Sequence, residues 1–308
     1  MRASRTILQA RSPIVASVAL SIGGMMWGLF WIPVSAIAAQ GAGGAWPGIV
    51  LYFGALVFLL PVIWRKRGAL YAQWRVLVVS GILTGAAFSL FTTSLVLTEI
   101  VRAILLFYLT PIWGTVLGAM VLSERLTLRR MMALVLSLGG MLIVLGLGRS
   151  FPWPSNAGDW LALASGLVWA FGSMKLYQGQ QTGVSEQVIA FLAGGLAVSI
   201  VTFVLGGAAF AEPVSAQVLW RVLPYALVAT LFVVPMVFLT IWPATLLSPG
   251  RVGLLMMSEI VVGVASAALF SGQLFGWREA TGAALIVSGA LVEVFGPQRR
   301  SVRGQIQE

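Results

Sequence analysis

The 308-residue chain has no cysteine and no histidine, and only 9% of its residues are charged. Without those two side chains there is no thiolate or imidazole metal ligand, no Ser-His couple, no cysteine nucleophile and no axial histidine for a haem. The only lysines are Lys66 and Lys175, and neither follows a glycine. A phosphate-cradling G-x-x-x-x-G-K-[ST] loop is therefore missing, as is G-x-G-x-x-G. ATP does not drive this chain directly, and no cofactor or metal is expected.

What is present is apolar surface. Hydrophobic residues make up 59% of the chain and the mean hydropathy is +0.97, whereas about a quarter of a soluble domain is charged. A membrane span takes about 20 apolar residues, so ten spans use roughly 200 to 230 residues and leave fewer than about 100 for loops and tails. Uncharged apolar stretches near 14–39, 46–64, 75–97, 100–122, 128–148, 158–178, 185–209, 219–241, 250–273 and 277–296 predict ten helices. The expected fold is an all-α polytopic membrane protein with ten transmembrane helices. The first stretch follows Arg2, Arg5 and Arg11 and ends in a small-residue run, Ala36-Ile37-Ala38. It is much longer than the 7 to 15 residues of a signal-peptide core and is read as a span.

Orientation follows from the basic residues. With the N-terminus inside, the inner segments hold Arg2, Arg5, Arg11, Arg65, Lys66, Arg67, Arg75, Arg125, Arg129, Arg130, Lys175, Arg251, Arg299, Arg300 and Arg303. The outer segments hold Arg102, Arg149, Arg221 and Arg278. The positive-inside bias places both termini in the cytoplasm and requires an even helix count. The net charge of +10 is then topological, with anionic headgroups under the inner loops as its natural partner. The bilayer is a partner and nucleic acid need not be. Trp46, Trp64, Trp74, Trp153, Trp160, Trp220, Trp242 and Trp277 fall at predicted helix ends, as an interfacial belt requires. Trp27, Trp31, Trp113 and Trp169 do not, and need another explanation.

The two halves echo one another. Gly24-Met25-Met26-Trp27-Gly28 lines up with Gly166-Leu167-Val168-Trp169-Ala170. Arg102, Leu106, Gly114, Arg129 and Gly140 meet Arg251, Leu255, Gly263, Arg278 and Gly289 at one offset of 149. Five helices per copy is an odd number, so the second copy enters the membrane upside down. Inverted repeats are a design of secondary transporters, with the substrate site near the midplane between the halves.

Here the residues reach a family. Trp27-Gly28, the run TEIVRAILLFYLTP over 98–111, Ser123-Glu124-Arg125-Leu126 and Gly139-Gly140 resemble the drug/metabolite transporter superfamily of EamA type. The run EIVV over 259–262, Ala265-Ser266-Ala267, and Gly282 with Leu285-Ile286-Val287-Ser288-Gly289 resemble its second repeat. Within the superfamily the chain is most similar to bacterial aromatic amino-acid exporters of the YddG type. The resemblance implies export of aromatic amino acids by alternating access. One departure is visible: Ser-Glu-Arg in the first copy becomes Ser271-Gly272-Gln273 in the second, so Gln273 cannot repeat any chemistry of Glu124.

Several side chains stand out against this frame. Glu259 lies about nine residues into the ninth stretch, roughly 13 Å deep at 1.5 Å per residue. An ionisable group there costs at least ~2.5 to 3.5 kcal/mol, so it faces the bundle interior and marks a pathway, or else is a protonated structural group among small residues. Lys175, near the inner end of the sixth stretch, either snorkels to the interface or offers a cation to a substrate carboxylate. Glu293, near Arg299, reads as a solvated structural group. Trp27 and Trp31 are four apart, hence on one helical face, with Trp169 as the counterpart in the second half. Tyr108 and Trp113 flank Pro111. Such rings either fill the bundle core or wall a pocket that stacks on a flat or cationic solute, with Met256 and Met257 as adaptable walls. Phe88 and Ser89 are candidate lining from the third stretch. Sugar phosphates would require several buried basic residues near the midplane, which the chain lacks. Pro33, Pro111 and Pro235 fall within helices and each frees a carbonyl, making kinks. The glycine pairs Gly24/Gly28, Gly81/Gly85 and Gly114/Gly118 predict close helix contacts.

The expected organisation is a first five-helix repeat over 1–150, an inverted second repeat over 151–298 and a cytoplasmic tail over 299–308. The expected activity is a non-enzymatic inner-membrane exporter of aromatic amino acids or related amphiphiles, with Trp27, Trp31, Phe88, Ser89, Tyr108, Trp169, Lys175, Met257 and Glu259 contacting the solute. A broad drug or other-metabolite exporter, with or without proton coupling, is the first alternative. A membrane enzyme acting on lipids is the second, with Glu124, Arg125, Arg129 and Arg130 as its one interfacial cluster. The partner is a small molecule; the sequence fixes no oligomeric state, and a monomer is the working expectation.

Overall fold

The computed structural model describes residues 2–98, 100–121, 126–144, 154–178, 182–207, 210, 213–271 and 276–294. Glu124, Arg125, Gln273 and the tail 299–308 lie outside the described residues, as do the side chains of Arg102 and Glu293. The described residues are helical, without a strand. The helices are α1 (Arg2–Gly28), α2 (Trp31–Ala38), α3 (Trp46–Phe58), α4 (Leu60–Ala72), α5 (Trp74–Leu97), α6 (Ile100–Phe107), α7 (Thr110–Val121) and α8 (Leu128–Val144). The second half supplies α9 (Ala157–Gln178), α10 (Val184–Gly206), α11 (Ala216–Ala244), α12 (Pro249–Met256), α13 (Ser258–Ser271) and α14 (Trp277–Val294).

Each apolar stretch of the sequence is helical, but four of them are broken in two. By length and composition four helices suffice to cross a membrane, or five when the bent pair α3 and α4 counts as one. The second stretch departs most from expectation. It does not stop at residue 64 but turns by 81° between α3 and α4 and runs on to Ala72. Pro61 in the first turn of α4 explains part of this, because its missing N–H leaves the Val57 carbonyl without its helical donor. In the first stretch, Pro33 likewise cannot bond Leu29, whose carbonyl takes the Ile32 N–H at 3.1 Å while α1 gives way to α2. Helix α11, by contrast, runs through Pro224, Pro235 and Pro243 without interruption.

The outside is more apolar than a water-soluble surface tolerates. On α5, Val76, Val78, Val79 and Ile82 are exposed, whereas Ser80, Thr84, Ser89, Thr92, Thr93 and Ser94 are buried. Four of those hydroxyls, on Ser80, Thr84, Thr92 and Thr93, donate to the carbonyl four residues back, which satisfies them without water. Small residues then let backbones approach: Gly81 and Gly85 of α5 face Ala190, Phe191 and Gly194 of α10 at backbone contact. Helices α8 and α14 pack antiparallel in a reciprocal contact. Gly140 meets Gly282, and Gly289 meets Ala133, each pair being the other shifted by 149 with the partners exchanged. That is the contact pattern of a local two-fold axis.

Candidate functional site

The site is built at two helix breaks that occupy the same place in the two halves. Helices α6 and α12 are eight residues each and end at Phe107 and Met256, which are 149 apart. At the first break, Pro111 has no N–H for the Phe107 carbonyl, and the Thr110 hydroxyl donates to it instead at 2.5 Å. At the second, Ile260 has an N–H but delivers it to Met257 at 3.1 Å, one residue short of the helical partner. The Met256 carbonyl is met by the Tyr108 hydroxyl, 2.9 Å away, reaching across from the first half.

Glycines bring the long helices onto these carbonyls. A Cβ on Gly24 of α1 would lie 3.1 Å from the Met256 carbonyl oxygen, and one on Gly166 of α9 would lie 2.5 Å from the Phe107 carbonyl oxygen. Gly24 and Gly166 are the pair that the sequence aligns. Gly28 presses in the same way on the Glu259 carbonyl and the Gly263 N–H.

Glu259 is fully buried in the first turn of α13. Its Oε2 lies 2.5 Å from the Tyr108 hydroxyl. A phenol has one proton, so its two close contacts, to Met256 and to Glu259, are both hydrogen bonds when the second proton sits on the carboxyl. The arrangement can therefore hold a proton, and releasing it would cost Tyr108 one of its two bonds.

Beside this pair lies a cluster of buried rings. Phe88 sits between the two pseudo-equivalent indoles: it stacks on Trp27 at 4.1 Å with planes 22° apart and meets Trp169 edge-on at 4.8 Å. Phe107 and Phe191 close the cluster at 5.9 and 5.5 Å from Phe88. Trp27 donates its indole N–H to Thr240 at 2.9 Å. The Trp169 indole N–H is buried and finds no acceptor among the described residues.

Of the residues singled out in the sequence, Trp27, Phe88, Tyr108, Trp169, Met257 and Glu259 are thus gathered at or beside the breaks, all buried. Ser89 is buried on the neighbouring face and bonds Ser199 of α10 at 2.7 Å. Trp31 is separated from Trp27 by the break that Pro33 makes, and donates to Ser266 of α13 at 3.1 Å. Lys175 is exposed in the last turn of α9, with Gln178 Oε1 at 3.4 Å. Phe107, Phe191 and Thr240 were not foreseen. Phe107 carries a legible signal, lying four residues before Pro111, while nothing local marks Phe191 or Thr240.

Comparison with known proteins agrees with this architecture. A protein of known crystal structure superposes with a TM-score of 0.69 at 17% identity, over 91% of this chain and 97% of its own, which establishes the fold alone. A probable amino-acid metabolite efflux pump of Salmonella typhimurium is 27% identical over 194 residues, 61% of this chain. That match spans 65% of the relative, slightly less than two thirds of its length. Residues 14–146 match the EamA-like transporter family, and over those residues the chain is similar to it.

Proposed function

We propose that this chain is a ten-span secondary transporter of the bacterial inner membrane that moves aromatic amino acids and related amphiphiles outward by alternating access, with both termini in the cytoplasm. The observation that carries the reading is Phe88 held between Trp27 and Trp169. A phenyl ring of the protein occupies a slot between two indoles, one from each half, and the ring of a phenylalanine or tryptophan solute has the shape and polarisability to take its place. The orphaned Trp169 N–H supplies a donor for the solute's carboxylate. Glu259 and Tyr108 supply the groups for its ammonium.

Contacts at the helix ends support the ten-span topology. Lys66 pairs with Glu186 at 3.2 Å and Arg129 donates to the Val292 carbonyl, joining ends assigned to the inner side. Thr98 donates to Asp159 at 2.7 Å and the Ala45 N–H to the Phe210 carbonyl at 2.7 Å, joining ends assigned to the outer side. The matched breaks at Phe107 and Met256 support repeats over 1–150 and 151–298. Transport rather than enzymatic turnover is the reading, supported by the similarity of residues 14–146 to a transporter family. A proton-coupled exporter is the second reading, favoured by the Tyr108–Glu259 contact.

Counterflow of labelled Phe, Trp and Thr into liposomes carrying the purified protein tests both. Saturable Phe or Trp flux indifferent to an imposed pH gradient supports an aromatic uniporter. Flux that follows the gradient, and no longer does so in Glu259→Gln, makes Glu259 the proton carrier. Absence of amino-acid flux overturns the substrate assignment.

A further inference from the structure

The strongest feature unused by the site is the elbow at α4. The 81° turn after α3 lays this helix across the bundle, and none of its residues is buried. Val62, Ile63 and Leu70 rest on the core as one half-buried face. Lys66 sits in the middle of that face and is anchored by Glu186 of α10 at 3.2 Å, the only ion pair among the described residues. The other face is of different chemistry. Trp64 and Tyr71 are 70% and 81% exposed, and Arg67, three residues from one and four from the other, stacks its guanidinium over the Trp64 ring at 4.4 Å. Arg65 and Arg75 flank the stripe, Arg75 lying 5.6 Å over Trp74 at the start of α5.

Arg65, Arg67 and Arg75 form no ion pair among the described residues. A guanidinium seated over an indole face uses that face without consuming its five N–H donors, which can grip a phosphate with two bonds. A helix lying across the bundle, with exposed aromatics and unpaired arginines, matches the headgroup level of a bilayer, where such helices bind anionic lipids. We propose that the α4 elbow is a binding site for the phosphates of anionic phospholipids, held by Arg65, Arg67 and Arg75 between Trp64 and Tyr71. Its assignment to the cytoplasmic leaflet rests on the orientation proposed above; headgroup binding does not, so either can fail alone.

The test is lipid selection by the full-length protein. Purified protein is equilibrated with mixed vesicles of phosphatidylglycerol and phosphatidylcholine at equal amounts, and the lipids that stay with it are quantified by mass spectrometry. We expect phosphatidylglycerol to be enriched several-fold over the bulk ratio and the enrichment to collapse in high salt. Each arginine near an anionic surface contributes on the order of fivefold. The triple variant Arg65→Gln, Arg67→Gln, Arg75→Gln returns to the bulk ratio, whereas Arg221→Gln with Arg278→Gln, at the opposite end, keeps the enrichment. Trp64→Leu, which retains every charge and removes the stacking surface, lowers it in part. Bulk-ratio lipid around the wild type, or enrichment that survives in the triple variant, overturns the proposal. So does displacement of the bound lipid by inorganic phosphate alone at millimolar concentration, which would make this a free-anion site.

Discussion

The two helix breaks hold the same position in the two halves and are held open by different means. Each leaves the last carbonyl of an eight-residue helix, Phe107 or Met256, pressed by a glycine of a long helix. In the first half the free carbonyl is answered locally, by the Thr110 hydroxyl at 2.5 Å. In the second half it is answered from the other half, by the Tyr108 hydroxyl at 2.9 Å, with Glu259 as the third member. Glu259 stands where Thr110 stands in the first copy, and Met257 where Tyr108 stands. The first break is answered from its own half, by a hydroxyl that also lies 3.2 Å from the Gly166 carbonyl, and the second depends on a hydroxyl from the other half. Under the proposed alternating access, the break bonded across the halves is the one that would respond to their movement.

The comparison can be broken most directly at the glycines. Gly166→Ala should cost ~1 to 3 kcal/mol in thermal unfolding of the detergent-solubilised protein, because its Cβ would strike the Phe107 backbone oxygen, which cannot rotate away. Gly24→Ala should cost less, since its nearest obstacle is the Ser258 hydroxyl, a side chain that can shift at the expense of its contacts with the Ser21 and Leu255 carbonyls, and the first backbone atom is at 3.1 Å. An equal or reversed order would remove the asymmetry of the two breaks.

Tyr108→Phe should come next, costing ~1 to 3 kcal/mol by stranding the Met256 carbonyl and the Glu259 carboxyl. Thr110→Val should cost about 1 kcal/mol, because it removes one neutral hydroxyl that lies 2.5 Å from the Phe107 carbonyl and 3.2 Å from that of Gly166. Glu259→Gln keeps a hydrogen-bonding group beside Tyr108 and should unfold near the wild-type temperature, so that any loss of flux or of gradient dependence reports on transport.

The indole pair sharpens the same contrast. Trp27→Phe removes a bond to Thr240 and should destabilise by about 1 kcal/mol more than Trp169→Phe, whose N–H has no acceptor among the described residues. Conversely, Trp169→Phe should raise the KM for Phe counterflow several-fold while Trp27→Phe lowers thermal stability. The smallest effect expected is that of Pro111→Ala. The restored N–H is worth about 1 kcal/mol and the added freedom of the unfolded chain costs ~0.4 to 1 kcal/mol, so the two nearly cancel. Hydrogen exchange at residue 111 then reads whether the new N–H is protected, which closes the break, or exchanges freely, which means packing holds it open.

Much of this protein was legible in its residues. Apolar runs gave ten helical stretches, because a chain that buries its backbone polar groups without water has few options besides the helix. Pro111 announced the first break, and the pairs Gly24/Gly28 and Gly81/Gly85 announced close contacts, since a missing N–H and a missing Cβ are properties of the residue itself. Trp27, Tyr108, Trp169 and Glu259 were identifiable because polar and aromatic groups far from helix ends need a reason to be there. Trp27 and Trp31, four residues apart, deliver their indole N–H groups to different helices, α11 and α13.

Other features belong to the tertiary structure alone. Nothing at Ile260 marks a break; Ile has an N–H and a normal helix would use it. The second break exists where Gly24 and Tyr108, distant in sequence, converge on the Met256 carbonyl. The slot between the indoles depends on Phe88 arriving from α5, and the α4 elbow on Lys66 finding Glu186 across the chain. Helix formation and membrane residence are local and additive along the chain, so composition and spacing determine them. The second break, the slot and the elbow each require two segments to meet, and which segments meet is decided by packing.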